Sequence, residues 1–415
     1  MRLIRVVGAG AGLALAVTAC SGGGGAAEGD GEVGGTITYW DTSDAENEGP
    51  AYEAVIADFE EEHGVTVNHQ FEDFDDARDR FDRAAASGDG APDVLRTEVG
   101  WTADFASLGY LQPLDDTPAL DDVDDFLDGP WSSAQYEGTT YAVPQVTDSL
   151  ALLYNADLLA EAGHDEPPTT MDDLATVAGD VSEETDADGI YLHVEGYFLL
   201  PFIFAEGGQW VDDADERITI NDPEAVAGLE NALDLMNSDA ALSPDLGESY
   251  DVMMAAFREG DVAMIINGPW SMGDALGGPA FEDAENLGVQ SLEAGGPTGG
   301  HNYSVYAGSE NLETAYAFVE YMASTETQSR IAEELGTLPT RESAYAAPAV
   351  EDHPIVSAYA PVMEASQPGA WIPEAGQMFV PFDDAYEAAV LGDVSPQEAL
   401  DGLADEYQAL LPDWE

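Results

Sequence analysis

Apolar residues recur along the chain in two rhythms that alternate with each other. "GTITYW" at 35–40 reads as a short strand. The next stretch, 49–64, carries Val55, Ile56 and Phe59 at helical spacing, with Pro50 near its start and Gly64 at its stop, and predicts an amphipathic helix. "VTVNHQF" at 65–71 alternates, with Val65, Val67 and His69 on one face of a second strand. "DARDRFDRAAASGDGAP" predicts another helix with a Gly/Pro exit, and "DVLR" at 93–96 a third strand. This order, strand–helix–strand–helix, implies an α/β lobe with a parallel sheet.

The rhythm resumes further on. Residues 222–237 predict a helix with Pro223 in its first turn and Val226, Leu229 and Leu233 on one face. A second helix is expected over 249–260, a third over 311–324 and a last one in "SPQEALDGLADEYQALL". Between them "VAMIINGPW" (262–270) reads as a core strand that breaks at Asn267-Gly268-Pro269 and then presents Trp270. A large aromatic just past a strand either anchors the loop on the core or faces a cleft as a flat platform. In open α/β sheets ligands sit beyond the carboxyl ends of strands, which favours the cleft. No internal repeat is visible.

The first residues follow a different pattern. Arg2 and Arg5 precede an apolar run from Val6 to Val17 that is too short to span a membrane, so it reads as a secretory signal over 1–19. It ends in "VTAC" at Cys20, the only cysteine, and "SGGGGAAEGDGEVGG" follows as a flexible tether over 20–35. A single cysteine allows no intramolecular disulfide, so stability must come from the core. The remaining ~400 residues are too many for one ordinary core and predict two lobes.

Charge changes the picture. The chain has 84 Asp and Glu against 10 Lys and Arg, all ten of them Arg, for a net charge of −74. The acids are spread over every segment. Self-repulsion on this scale weakens a compact state in dilute buffer, whereas at ~1 M salt the Debye length shrinks to about 3 Å. A secreted protein adapted to a saline environment is therefore expected. Nucleic acid is excluded as a partner, because nothing would neutralise its phosphates.

Five stretches then match one family: "GDGAPDVLRTEVGWTADFASLGYLQPLDD", "YAVPQVTDSLALLYNADLL", "AAFREGDVAMIINGPW", "PTGGHNYSVYAGS" and "LPTRESAY". In order and spacing they resemble bacterial extracellular solute-binding proteins of the maltose/maltodextrin type. The resemblance runs from about Gly35 to the C-terminus. It implies a two-lobed α/β fold with several chain crossovers, an N-lobe of 36–146 plus about 302–350, and a C-lobe of about 147–301 plus 351–415. It also implies a monomeric, non-enzymatic receptor that closes around a maltose- or maltodextrin-type sugar and delivers it to the permease of an ABC transporter, with no cofactor. "VTAC" resembles a lipobox, which makes Cys20 the lipidated first residue of a protein anchored on the outer face of the membrane.

Sugars present hydroxyls, matched by carboxylates and amides, and C–H faces, matched by aromatic planes. The resemblance carries ligand contacts onto Trp270 in the "NGPW" turn, Asp148 in "VTDSLALLYN", and Glu98 with Trp101 in "RTEVGW". It carries them also onto Glu195 and Tyr197 in "HVEGYF", onto Trp40, Asp41 and Asp44 after the first strand, and onto Gly300, His301 and Asn302 in "TGGHN". Phe379 stands where relatives often carry Trp, so the choice of sugar among maltose, longer maltodextrins, trehalose or another oligosaccharide is left open. Each site residue has a plainer alternative: a packing aromatic, or one of many solvated acids.

A secreted glycoside hydrolase is the rival of another class. It needs two carboxylates flanking a bond roughly 5–9.5 Å apart, and no local acid pair stands out. "ETDADGIYLHVE" (184–195) approaches a calcium-loop pattern, but begins with Glu184, carries Tyr191 inside and continues as a strand. The six His are scattered with no metal-ligand spacing.

Overall fold

The computed structural model describes residues 32–415; the signal sequence, Cys20 and most of the tether lie outside them. The strands that matter are β1 (Thr36–Asp41), β2 (Thr66–Phe71), β3 (Val94–Glu98), β4 (Ala142–Ser149), β5 (Ala151–Asn155), β6 (Asp188–Tyr191), β7 (Val262–Asn267), β8 (Leu287–Gln290), β9 (Thr298–Val305) and β10 (Leu338–Pro339). The principal helices are α1 (Gly49–His63), α2 (Phe74–Ser87), α3 (Trp101–Ser107), α4 (Met171–Glu184), α5 (Gly196–Ala205), α6 (Pro223–Met236), α7 (Ser249–Glu259), α8 (Leu312–Met322), α9 (Thr325–Leu335), α10 (Pro354–Ala365), α11 (Ala375–Val390) and α12 (Pro396–Leu410).

Two sheets organise two lobes. The first has the order β10-β4-β9-β3-β1-β2, the second β8-β5-β7-β6. The chain passes from the first to the second at Leu150, between β4 and β5, and returns between Gln290 and Thr298. The boundaries expected from sequence, 146/147 and 301/302, fall inside β4 and β9. Past β10 the chain leaves again, and α10 packs beside the second sheet through Ile355, Val356, Tyr359 and Val362.

The expected parallel sheet is mixed. β1 pairs in parallel with β2 and β3, but β9 runs antiparallel to both β3 and β4. The crossovers explain this: β4 carries the chain out of the first lobe and β9 carries it back, so they must run in opposite senses. The carboxyl ends of β3 and β4 and the amino end of β9 therefore meet on one side. In the second lobe β5 starts at that side, β7 is antiparallel to it with Asn267 opposite Ala151, and β6 parallels β7. Both sheets thus turn the carboxyl ends of β3, β4, β6 and β7 toward the same gap.

Local sequence builds these elements in ordinary ways. α1 buries Tyr52, Val55, Ile56 and Phe59 against the first sheet, each contributing about 1.5–3 kcal/mol, and ends at Gly64 in the left-handed region. The Asp73 carboxylate caps α2 by accepting from the Asp75 N–H. The first lobe centres on Ile37, Tyr39, Phe59, Tyr303 and Phe318. The second packs Leu152, Leu199, Ile203, Leu229, Met264 and Phe382. Every described arginine except Arg96 pairs with a carboxylate, among them Arg330 with Asp58 and Arg341 with Asp125. Among the described residues no helix is long and apolar enough to cross a membrane.

Candidate ligand-binding cleft

The gap between the lobes collects most of the residues selected from sequence. On the first-lobe side, Glu98 ends β3 and lies opposite His301 of β9 in the strand register. The Gly100 N–H donates to its Oε2 at 2.8 Å. Burial, with the charge of Asp148 adding to it, still pushes the Glu98 carboxyl up to about 8. His301 is held well below the usual imidazole range by burial and by the Arg96 charge, so it is neutral. Neither of its ring nitrogens has a protein partner.

Asp148 lies opposite Gly299, two residues before the first crossover, and is 8% exposed. Its single hydrogen bond is a long one, accepted from the Tyr197 hydroxyl at 3.5 Å; that hydroxyl also reaches the Pro297 carbonyl at 3.2 Å. Burial pushes Asp148 up to about 7, against the pull of Arg96 and Tyr197. A side chain at position 299 would collide with both Asp148 and the Tyr197 hydroxyl, so glycine there lets them meet. Gly300 has a related reason: its φ of 134° and its approach to the Val146 carbonyl leave no room for a Cβ.

The second lobe supplies the opposite wall. Trp270 is 38% exposed, and its indole N–H donates to the Tyr250 hydroxyl at 3.1 Å. The ring lies directly over Gly268, where any Cβ would strike it. One face of the indole is thus supported by backbone and its edge is fixed. Tyr197 meets Phe379 at 6.2 Å, and Phe379 is backed by Trp210 at 5.1 Å. Glu195 sits at the start of α5, where its carboxylate partners His193 Nε2 at 3.1 Å while His193 Nδ1 faces the Ser249 hydroxyl at 2.9 Å.

Several sequence-selected residues lie inside the first lobe instead. Trp40 is buried with Phe81, Trp101 and Phe105, under the Arg80 guanidinium 4.4 Å above its ring. Asp41 is fully buried and takes hydrogen bonds from His69 at 2.8 Å and the Ser43 N–H at 2.9 Å. Burial alone would raise its carboxyl, but His69, Arg96 and Ser43 hold it below the usual range. Asn302 is fully buried and donates to the Thr102 and Ser133 hydroxyls, both at 3.1 Å. These three pack within the lobe, where the Asn302 Oδ1 is buried without a partner. Asp44 is exposed, yet its carboxylate accepts the Glu46 and Asn47 N–H groups of its own loop.

Sequence reasoning missed Phe74, His193, Tyr250, Trp210 and Asp383. Asp383, from α11, accepts the Gly196 N–H at the start of α5 at 2.7 Å, and burial pushes it up to about 7. Trp101 is nearly buried and stacks on Phe74 at 5.3 Å and 25°. The lobes also touch away from the crossovers: the Trp371 indole donates to the Ser132 hydroxyl at 3.0 Å, and Gly376 abuts Arg78 and Trp101. A separate groove of ≈ 550 Å³ lies between α4 and the end of α6, lined by Met171, Ser182, Phe202 and Asn231, and no cleft residue borders it. Among the described residues no group of three His, Cys, Asp or Glu is placed to hold a metal ion.

Two lobes, two sheets with their loop-bearing ends facing one gap, and a gap walled by aromatics and by the Glu98 and Asp148 carboxyls, which make no ion pair among the described residues, define a solute-binding protein of the two-lobed type. The chain belongs to the bacterial extracellular solute-binding protein family, whose model matches residues 54–358. It is similar to the GacH receptor of Streptomyces glaucescens GLA.O, solved unliganded and in complex with acarbose, with a TM-score of 0.89, 44% identity, and coverage of 92% of this chain and 100% of that one. It also shares its fold with maltose-bound MalE3 of T. maritima, at a TM-score of 0.82 and 22% identity over 91% of this chain and 100% of that one. Among curated proteins it is 25% identical to a maltotriose-binding protein of Pyrococcus abyssi over 69% of this chain and 62% of that protein. It is likewise 25% identical to a galactooligosaccharide-binding protein of Bacillus subtilis over 90% and 88%.

Proposed function

We propose that the chain is an extracytoplasmic receptor for a malto-oligosaccharide-type sugar, which it delivers to the permease of an ABC transporter. The observation that carries this reading is the composition of the cleft. Trp270 and Phe379, the latter backed by buried Trp210, present aromatic surface from one lobe, and Glu98, His301 and Asp148 present polar groups with unused hydrogen-bonding capacity. Neutral sugars are bound by this combination of flat apolar faces and convergent polar atoms. A carboxyl near its titration point can donate as well as accept, which suits hydroxyls that do both. The 44%-identical receptor is solved in complex with acarbose, and the curated relatives are named for maltotriose and galactooligosaccharides, which supports an oligosaccharide here.

Contacts from both lobes make the sugar stabilise the closed arrangement, and the closed form is what a permease recognises. The receptor role assigns no catalytic group. The lipid anchor at Cys20 fits the same reading: a tethered receptor stays beside its transporter. Trp270→Ala tests the cleft directly. Sugar affinity is expected to fall about tenfold, because a stacking face is lost, while the melting temperature moves little, because the ring is 38% exposed. Equal losses of affinity and stability contradict the platform role.

The net charge of −74 supports adaptation to salt. Thermal melting in rising sodium chloride is expected to move upward through the molar range as exposed acids are screened; a flat or falling curve contradicts this.

A further inference from the structure

Phe74 stands outside the core of the first lobe. It opens α2 between Asp73 and Asp75, yet the helix buries Ala77, Phe81 and Ala85 and leaves Phe74 44% exposed. The ring is nevertheless fixed. It stacks on Trp101 at 5.3 Å and 25°, and meets the His301 imidazole edge-on at 6.0 Å and 73°. Its neighbour Asp75 lies in the field of Glu195 from the opposite lobe, and Asp383 of that lobe feels Asp75 in turn. Phe74 therefore stands on the rim of the cleft, outward of Trp101, with one face on Trp101 and the rest of the ring open. A half-exposed aromatic buries less apolar area than it could, and within the first turn of its own helix only the small Ala77 shares its face.

We infer that Phe74 is a stacking platform for an outer unit of the bound oligosaccharide, beyond the units held near Glu98 and Asp148, and that it sets the preferred chain length. The inference rests on the oligosaccharide reading of the cleft. Trp101 and His301 hold the ring's orientation before the ligand arrives, so stacking a sugar on it costs little further ordering. A longer chain seated at the inner carboxyls carries a further unit onto the rim.

The test is calorimetric titration of the full soluble chain and of Phe74→Ala, Phe74→Leu and Phe74→Tyr with maltose, maltotriose and maltotetraose. Phe74→Ala and Phe74→Leu are expected to bind the longest sugar about tenfold more weakly and maltose within about twofold of the parent. Leucine fails with alanine because it is apolar but not flat, and Phe74→Tyr keeps the parent's length preference. Equal weakening for all three sugars, or none for any, overturns the assignment. If the parent binds none of the three, the oligosaccharide reading itself falls; if it binds them and the variants show no length dependence, only the role of Phe74 falls.

Discussion

Replacing Asp148 by alanine is expected to lower sugar affinity about 100-fold or more, while Asp148→Asn makes the protein more stable at pH 8. Both effects have one cause. Asp148 is nine-tenths buried with a single long hydrogen bond, so the fold leaves its carboxyl capacity for a ligand. Two hydrogen bonds to a carboxylate, at about 1.5–3 kcal/mol each, account for the loss of affinity. For stability the sign follows from the proton. Burial raises the Asp148 carboxyl from 3.8 to about 7, so the folded state holds the proton more tightly than the unfolded chain does. The ionised carboxylate therefore destabilises the fold, not at all below about pH 4 and fully above about pH 7, by a few kcal/mol at most. Asparagine removes that penalty. The gain in melting temperature should be present at pH 8 and vanish near pH 4; a gain independent of pH would mean that repacking, not ionisation, is responsible.

The largest loss of stability is expected from Arg96→Met. Arg96 is buried in the first lobe, with its Nε donating to the Gln145 side chain at 2.8 Å and its Nη1 to the Thr42 hydroxyl at 3.1 Å. It makes no close ion pair, yet Asp41, Glu48 and Asp148 all lie within its field. Removing one buried charge from such a set leaves the others uncompensated, at about 3–5 kcal/mol. Chemical denaturation should show that loss, and Asp41→Asn in the same chain should recover part of it. Arg96 also holds Asp148 down, so in Arg96→Met the pH dependence of sugar binding should move upward. An unchanged denaturation midpoint would mean that the interior carboxylates are already satisfied without the guanidinium.

Trp270 was placed by the end of a strand visible in the sequence, and Asp148 and Glu98 by the family motifs around them. Strand ends point at clefts in α/β sheets, and the topology places these three at one gap. Trp40 and Asp41 mislead for a related reason. A strand alternates its faces, and sequence does not say which face a final pair will turn inward; here Trp40 joins Phe81 and Phe105 while Asp41 meets His69. Asn302 reads as a ligand amide, but the register of β9 turns it into the lobe, toward Thr102 and Ser133. Phe74 was hidden because the helix expected from "DARDRFDRAAAS" began after it, whereas α2 starts at Phe74 itself. Asp383 and Tyr250 act on Gly196 and Trp270, residues remote in sequence, and carry no local signal. The mixed first sheet was missed because β9 belongs to it through a return crossover that strand order alone does not show.

Calorimetric titration of the soluble chain with maltose, maltotriose and trehalose in molar salt tests the central claim most directly. A sugar-receiving cleft predicts saturable one-to-one binding of at least one malto-oligosaccharide, with no glucose released, lost in Asp148→Ala. Silence toward all of them from protein that melts cooperatively would contradict it.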